Sequence, residues 1–315
     1  MRNLKIYINI LPILIVSMIS ILTTYRSEIN NAKDDELKWI NFMWISDSVD
    51  NQFVDKTRIY LPVRIEGIPH DFTLQFDLGS DITQIYDASI MPYLTVYPEV
   101  KQKLDTSNHL NHIDLIVDGY TFKDRSLSLR EDNRNVLTTD SVDTKTTKHI
   151  GTIGVDLFKD KVLIIDYPNE QIAVTDKVPS DMANKAYFVN ITLDRRGRAV
   201  LPLQIKGKER KVLFDTGSSL FSILTIPENW AEVTSHQVTD SMAVPSWGET
   251  IYLYGTMGDH VYLGKQKLPK AVFYKTEALA NFLEYNGTWG MTGNAYFWDN
   301  TVIVDFANKR FGVIK

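Results

Sequence analysis

The chain has 315 residues and a net charge of −5, long enough for one large domain or two of ordinary size. With no long run of lysine or arginine it lacks the clustered cations that the phosphates of nucleic acid demand, so no nucleic-acid partner is expected. It contains no cysteine, which excludes disulfides, thiolate nucleophiles and cysteine-based metal sites and leaves carboxylates, hydroxyls and histidine to carry any chemistry.

Taken in chain order, Ile6 to Leu22 has no charged residue, with Arg2 and Lys5 before it and Asp34, Asp35 and Glu36 after it. At roughly 17 residues the stretch lies between a signal-peptide core and a full membrane span, and no small-x-small cleavage site follows cleanly. Residues 1–30 are therefore read as a hydrophobic helix serving as a membrane anchor or signal segment, uncleaved for preference. Positive flanks stay in the cytoplasm, which puts the bulk of the protein outside it, membrane-anchored or exported to a periplasmic or extracellular space. A buried helix of a globular domain is the competing reading, but such a helix normally carries a polar face. Leu37 to Asp50 holds two tryptophans and several apolar residues and is expected to pack on a lobe.

From there the chain contains itself twice. RIYLPVRIEG (Arg58 to Gly67) matches RAVLPLQIKG (Arg198 to Gly207), both alternating apolar and polar residues as half-buried strands do. TLQFDLGSDITQIY (Thr73 to Tyr86) lies over KVLFDTGSSLFSIL (Lys211 to Leu224), sharing Phe, Asp, Gly and Ser. IGTIGVDLFKDKVLIIDYPNEQIAV (Ile150 to Val174) lies over WGMTGNAYFWDNTVIVDFANKRFGV (Trp289 to Val313), sharing Gly151/Gly290, Gly154/Gly293, Phe158/Phe297, Asp160/Asp299, Asp166/Asp305 and Asn169/Asn308. This third part reads as a β-hairpin in each copy, with PNEQ and ANKR as turns. Helical pattern is confined to short stretches such as Ser89 to Leu94 and Glu277 to Tyr285. The class is mostly β, as two homologous β-barrel-like lobes at 31–178 and 179–315 with a cleft between them, joined near VPSDMANKAY (Val178 to Tyr187).

An aspartate directly after an apolar run sits where desolvation raises its pKa and costs several kcal/mol unless the charge is shared or hydrogen-bonded. If the loops at Asp77 and Asp215 face each other, their carboxylates cannot both ionise. One keeps a proton, giving an acid and a base within reach of one water. The following hydroxyls can donate to the carboxylates, and the glycines let the backbone turn close to them.

With Asp77-Leu78-Gly79-Ser80 and Asp215-Thr216-Gly217-Ser218-Ser219, each followed by its own Thr152-Ile153-Gly154 or Met291-Thr292-Gly293 element, the chain after about residue 55 resembles the bilobal aspartic peptidases of the pepsin and retropepsin kind. The resemblance implies an aspartic endopeptidase acting on peptide or protein substrates as a pseudo-symmetric monomer, without metal or cofactor. It implies that Asp77 and Asp215 activate the attacking water, that Thr216 braces the two loops, that Gly79 and Gly217 shape the turns, and that Ser80 and Ser218 donate to the outer carboxylate oxygens. It further implies that YLYGTMGDH (Tyr252 to His260) forms a flap over the substrate, with Tyr254 as its contact and Gly255 and Gly258 as its glycines.

The first copy departs from that pattern: Leu78 stands where the family has Thr or Ser, and its flap region, by alignment near His109 to Ile113, has no glycine. A second reading is therefore a membrane-tethered module of the same fold that binds peptides and cuts them weakly or not at all. A third, the actin-like and sugar-kinase-like ATPases, also uses Asp-x-Gly twice but needs long helices and a Gly-Gly adenosine loop. Asp166 and Asp305 precede turns and are read as backbone hydrogen-bonders. HLNH (His109 to His112) is read as a polar loop with no third ligand. Asp81 is either a further carboxylate near the site or a solvated loop residue, and Asn190 and Asn286 head glycan-acceptor triplets.

Overall fold

The computed structural model describes residues 37–49, 52–132, 136–246 and 249–315. The proposed N-terminal anchor lies outside the described residues; among those described, no helix is long and apolar enough to cross a membrane.

Strand β1 (Trp39–Asn41) is followed by a long hairpin of β2 (Met43–Val49) and β3 (Gln52–Ile65). β3 runs on to pair antiparallel with β4 (Ile68–Phe76). After β5 (Gln84–Tyr86) and helix α1 (Asp87–Val96) come a hairpin of β6 (His109–Val117) and β7 (Tyr120–Arg130), and then β8 (Lys148–Ile153). β8 lies parallel to β4 and antiparallel to β5, which in turn lies parallel to β7. β6 pairs back onto β3 and closes six of these strands into a barrel. The inward residues of β4, Phe72, Leu74 and Phe76, have no solvent exposure, and in β3 Ile59, Leu61, Val63 and Ile65 are buried in the alternation expected of Arg58 to Gly67.

The hairpin of β9 (Val162–Asp166) and β10 (Gln171–Thr175) leaves that barrel. A short helix, Ser180–Lys185, then leads through β11 (Tyr187–Asn190) and β12 (Thr192–Leu193) to β13 (Ala199–Ile205) and β14 (Lys208–Phe214), which pair antiparallel as β3 and β4 do. After β15 (Ile223–Thr225) comes a hairpin of β16 (Asp240–Ser246) and β17 (Glu249–Met257). Beyond it lie β18 (Val261–Leu263), β19 (Gln266–Lys267), β20 (Val272–Lys275) and β21 (Gly290–Thr292). β21 is parallel to β14 and antiparallel to β15, and β15 is parallel to β20, the pairing of the first barrel over again. The β16–β17 hairpin has no counterpart near His109 to Ile113, which form part of strand β6 rather than a loop.

The third part of the sequence repeat does not stay with its own half. β22 (Thr301–Asp305) and β23 (Arg310–Ile314) pair with each other, and β22 also pairs with β9, giving one six-stranded sheet in the order β1-β10-β9-β22-β23-β11. The run VLIID is buried throughout because both faces of this central strand are covered, which is why it lacks alternation. Of the segment expected to pack on a lobe, residues 39–49 contribute to both structures: β1 edges the shared sheet and β2 edges the first barrel. At the ends of β9 and β22, Asp166 and Asp305 accept from the backbone N–H of Asn169 (3.3 Å) and Asn308 (2.9 Å), the turn role read from sequence.

Candidate active site

β4 and β14 deliver the two aspartates in matching ways. Phe76 and Phe214 are wholly buried and meet Phe158 and Phe297 edge-on at 5.9 and 5.8 Å, so the paired phenylalanines of the repeat anchor each strand end. The next amides are held by the parallel neighbour, Asp77 N donating to Ile153 O (3.0 Å) and Asp215 N to Thr292 O (2.9 Å). Each carboxylate then turns back over its own loop, where Gly79 N donates to Asp77 Oδ1 and Gly217 N to Asp215 Oδ1, both at 2.9 Å.

The loops interlock reciprocally. A Cβ on Gly79 would fall 2.4 Å from the Asp215 carboxyl carbon, and one on Gly217 would fall 2.6 Å from that of Asp77. Only glycine permits that approach, and it seats the two carboxyls side by side. They are 9% and 7% exposed, so their charge is largely desolvated yet open to the cleft. Burial first, then the charge of Asp215 and a hydrogen bond to it, hold the Asp77 carboxyl well above the usual carboxylate range against the amides of Gly79 and Ser80.

The hydroxyls break the symmetry. Ser218 Oγ donates to Asp215 Oδ2 at 2.7 Å. Ser80 does not do the same for Asp77: its hydroxyl donates to Ile82 O (2.9 Å), and only its amide reaches Asp77 Oδ1 (3.1 Å). Thr216, fully buried, donates to Phe76 O and accepts from Leu78 N, both at 2.9 Å, and so ties the second loop to the first. Leu78 packs its side chain into the main apolar core instead of offering a second hydroxyl.

Above the aspartates lies a cleft of about 820 Å³. One side is overhung by the stem of the β16–β17 hairpin, where Val244, Ile251 and Leu253 line the cleft; β16 also approaches β2. Strand alternation turns Tyr254 the other way: it is exposed and is not among the lining residues. Gly255 pairs with Asp240 and Gly258 N donates to Ala271 O, at the root of the hairpin rather than over the site. Of the hairpin, Val244, Ile251 and Leu253 line the cleft and Tyr254 does not.

Several residues of the site went unassigned in the sequence. Arg198 is 2% exposed and donates to Gly79 O across the two halves (2.9 Å), to Asp194 within its own loop (2.8 Å) and to Asn286 Oδ1 (2.6 Å). Its place in the repeat opposite Arg58 was the available signal. Asn286 is therefore committed to Arg198. Asn294, with no exposure, donates to Thr216 O and Ser219 Oγ and accepts from Tyr167 of the shared sheet (2.7 Å). Asp81, ambiguous in sequence, pairs with Arg196 of the second half at 2.7 Å. His109 and His112 lie near Asp105 and Asp124, and among the described residues no cluster suited to a metal ion is present.

No family model matches the sequence, and no curated protein matches it. Among solved structures, the chain is similar to an aspartic proteinase from Irpex lacteus, with 11% identity and a TM-score of 0.48 over 89% of this chain and 97% of that one.

Proposed function

We propose that the protein is an aspartic endopeptidase in which Asp77 and Asp215 share one proton and activate a water. The observation that carries this reading is the reciprocal packing of the two Asp-x-Gly loops, each glycine against the other loop's carboxyl. Folding alone gives no reason to bury two facing carboxyls, since their desolvation and repulsion oppose it. Asp215, the charged member, takes a proton from water as its oxygen attacks the scissile carbonyl carbon, while Asp77 gives its proton to the carbonyl oxygen. The tetrahedral intermediate collapses with rupture of the C–N bond. The leaving amine receives the proton from Asp215, and the intermediate's hydroxyl returns one to Asp77. Gly217 N–H and the Ser218 hydroxyl steady the charge on Asp215. Neither metal nor cofactor enters the sequence of steps.

On its sequence alone, the N-terminal segment anchors a monomer of two pseudo-symmetric lobes, 31–178 and 179–315, with the cleft outside the cytoplasm. The ATPase reading loses its basis: the longest helix among the described residues, Asp87–Val96, has 10 residues, and the sheets of the two halves are not built from the strand–helix–strand units that reading needs.

The test is cleavage of a diverse peptide mixture by the full chain from about pH 3 to 7, beside Asp215→Asn. The expected result is cleavage by the wild type and a loss of at least about a thousandfold in the variant, whose melting is cooperative; equal cleavage by both would end the proposal. Equal peptide binding by the two without cleavage would establish the binding-module reading, for which the buried Leu78 is the motivating feature.

A further inference from the structure

The apolar part of the cleft lining comes from one half of the chain, whereas both halves supply polar residues, Arg196, Arg198 and Thr276 among those of the second. Among the described residues that line it, all those from the first half are polar, charged or glycine, with Asp47, Arg58, Gln75, Gln84 and Arg130 forming the wall beyond the dyad. All the apolar ones come from the second half, among them Phe221, Leu224, Val244, Ile251, Leu279 and Phe282. This is more than an uneven surface. Under the second wall lies an apolar cluster separate from the main core, built on Val200, Leu213, Phe221, Leu224, Leu253, Tyr274 and Met291, with Val244, Ile251, Leu279 and Phe282 packed against it while still facing the cleft. The first wall is knitted from hydrogen-bonding groups: Arg58 pairs with Asp47, and Arg130 Nη1 donates to Gln84 Oε1 at 3.2 Å.

The reciprocal packing of the loops relates the two walls by a pseudo-twofold axis through the dyad. A peptide crossing it presents the residues on either side of the scissile bond to different walls. Resting on the endopeptidase reading, we infer that the protein selects peptides with a large apolar residue on one side of the cut bond and a hydrogen-bonding residue, carboxylate or carboxamide, on the other. The apolar wall rewards removal of Leu, Phe or Met from water. The polar wall penalises an apolar residue there, because its guanidinium and carboxamide groups, already paired with Asp47 and with each other, would lose the water that solvates their cleft-facing side and gain no hydrogen bond in exchange.

The experiment is profiling of the full chain on a peptide library randomised at both flanking positions, with Asp215→Asn as the blank. The expected profile enriches Leu, Phe and Met over Ala on the order of 10- to 100-fold at one position and Asp, Glu, Asn and Gln at the other. Leu279→Gln is expected to weaken only the apolar preference, and Gln84→Leu only the polar one; neither residue touches the dyad. Apolar enrichment at both positions with a silent Asp215→Asn would overturn this inference and leave the endopeptidase reading intact. If the wild type does not cut, the endopeptidase reading fails. The same library captured by binding then reads the walls directly: adjacent apolar and polar residues in the captured peptides sustain the two-sided cleft, and uniformly apolar ones overturn it.

Discussion

Asp77 and Asp215 begin as equivalent residues, and small differences around them assign their roles. Because the folded protein holds a proton on Asp77 well above the pH at which a solvated carboxyl loses it, the dyad keeps its single proton into a less acidic range. Activity is expected to fall on the alkaline side only as Asp77 ionises, so the upper limb of the kcat/KM profile should lie above the ordinary carboxylate pKa of about 4. Stability depends on the same group. A raised pKa means the native state binds more protons than the unfolded one, so this contribution is full below the ordinary carboxylate pKa and is lost as pH rises through the raised one. Melting temperatures measured across that window should fall with pH in the wild type and more shallowly in Asp77→Asn. The serines give a second check. Ser218→Ala removes a hydroxyl donor from the charged carboxylate and should lower kcat by roughly 10- to 100-fold, from about 1.5–3 kcal/mol for a hydrogen bond to a charged group. Ser80→Ala should lower it far less, since that hydroxyl serves Ile82 O. Sequence could place both serines three residues after an aspartate but could not tell which way either hydroxyl turns, because that choice depends on the carbonyl that Ile82 happens to present.

At the scale of strands and loops, the motifs and their partners were legible while orientation across a hairpin was not. The apolar runs ending in Asp77 and Asp215, the paired phenylalanines and the glycine-bearing strands β8 and β21 could be read as repeats because each imposes a distinctive residue pattern. The β16–β17 hairpin was found for the wrong reason: Tyr254, Gly255 and Gly258 suggested a covering loop, yet a strand turns alternate residues to opposite faces, and the cleft receives Ile251 and Leu253. Replacing Ile251 by Asn should raise KM for peptides in a variant that still melts cooperatively, whereas Tyr254→Ala should leave KM within about twofold. The brace at Thr216 makes a sharper prediction. Thr216→Val strips one donor and one acceptor from a fully buried junction, leaving Phe76 O and Leu78 N unsatisfied, and should destabilise by roughly 2–5 kcal/mol in urea titration. Thr216→Ser keeps the hydroxyl and should lose much less.

Over the whole molecule, the second half donates and the first accepts at several junctions: Thr216 to Phe76 O, Ser219 to Lys56 O, Arg198 to Gly79 O and Arg196 to Asp81. Arg198 makes one of these junctions and also neutralises a buried carboxylate of its own half, so Arg198→Met, which abandons the Asp194 carboxylate, should cost about 3–5 kcal/mol by chemical denaturation. The repetition of one strand pairing in both halves was visible in the repeat, but the merging of the two last hairpins into one sheet was not, because each hairpin alone reads as a self-contained β-ribbon. That sheet has a consequence for the order of events in synthesis. β22, formed from residues 301–305, pairs with β9 from far earlier in the chain, and β23 supports β11 from the other side. A growing chain can complete its first barrel early, but the sheet joining the halves waits for the last residues to emerge. A translation product stopped short of residue 300 carries both aspartates and their loop contacts without the common sheet that backs them.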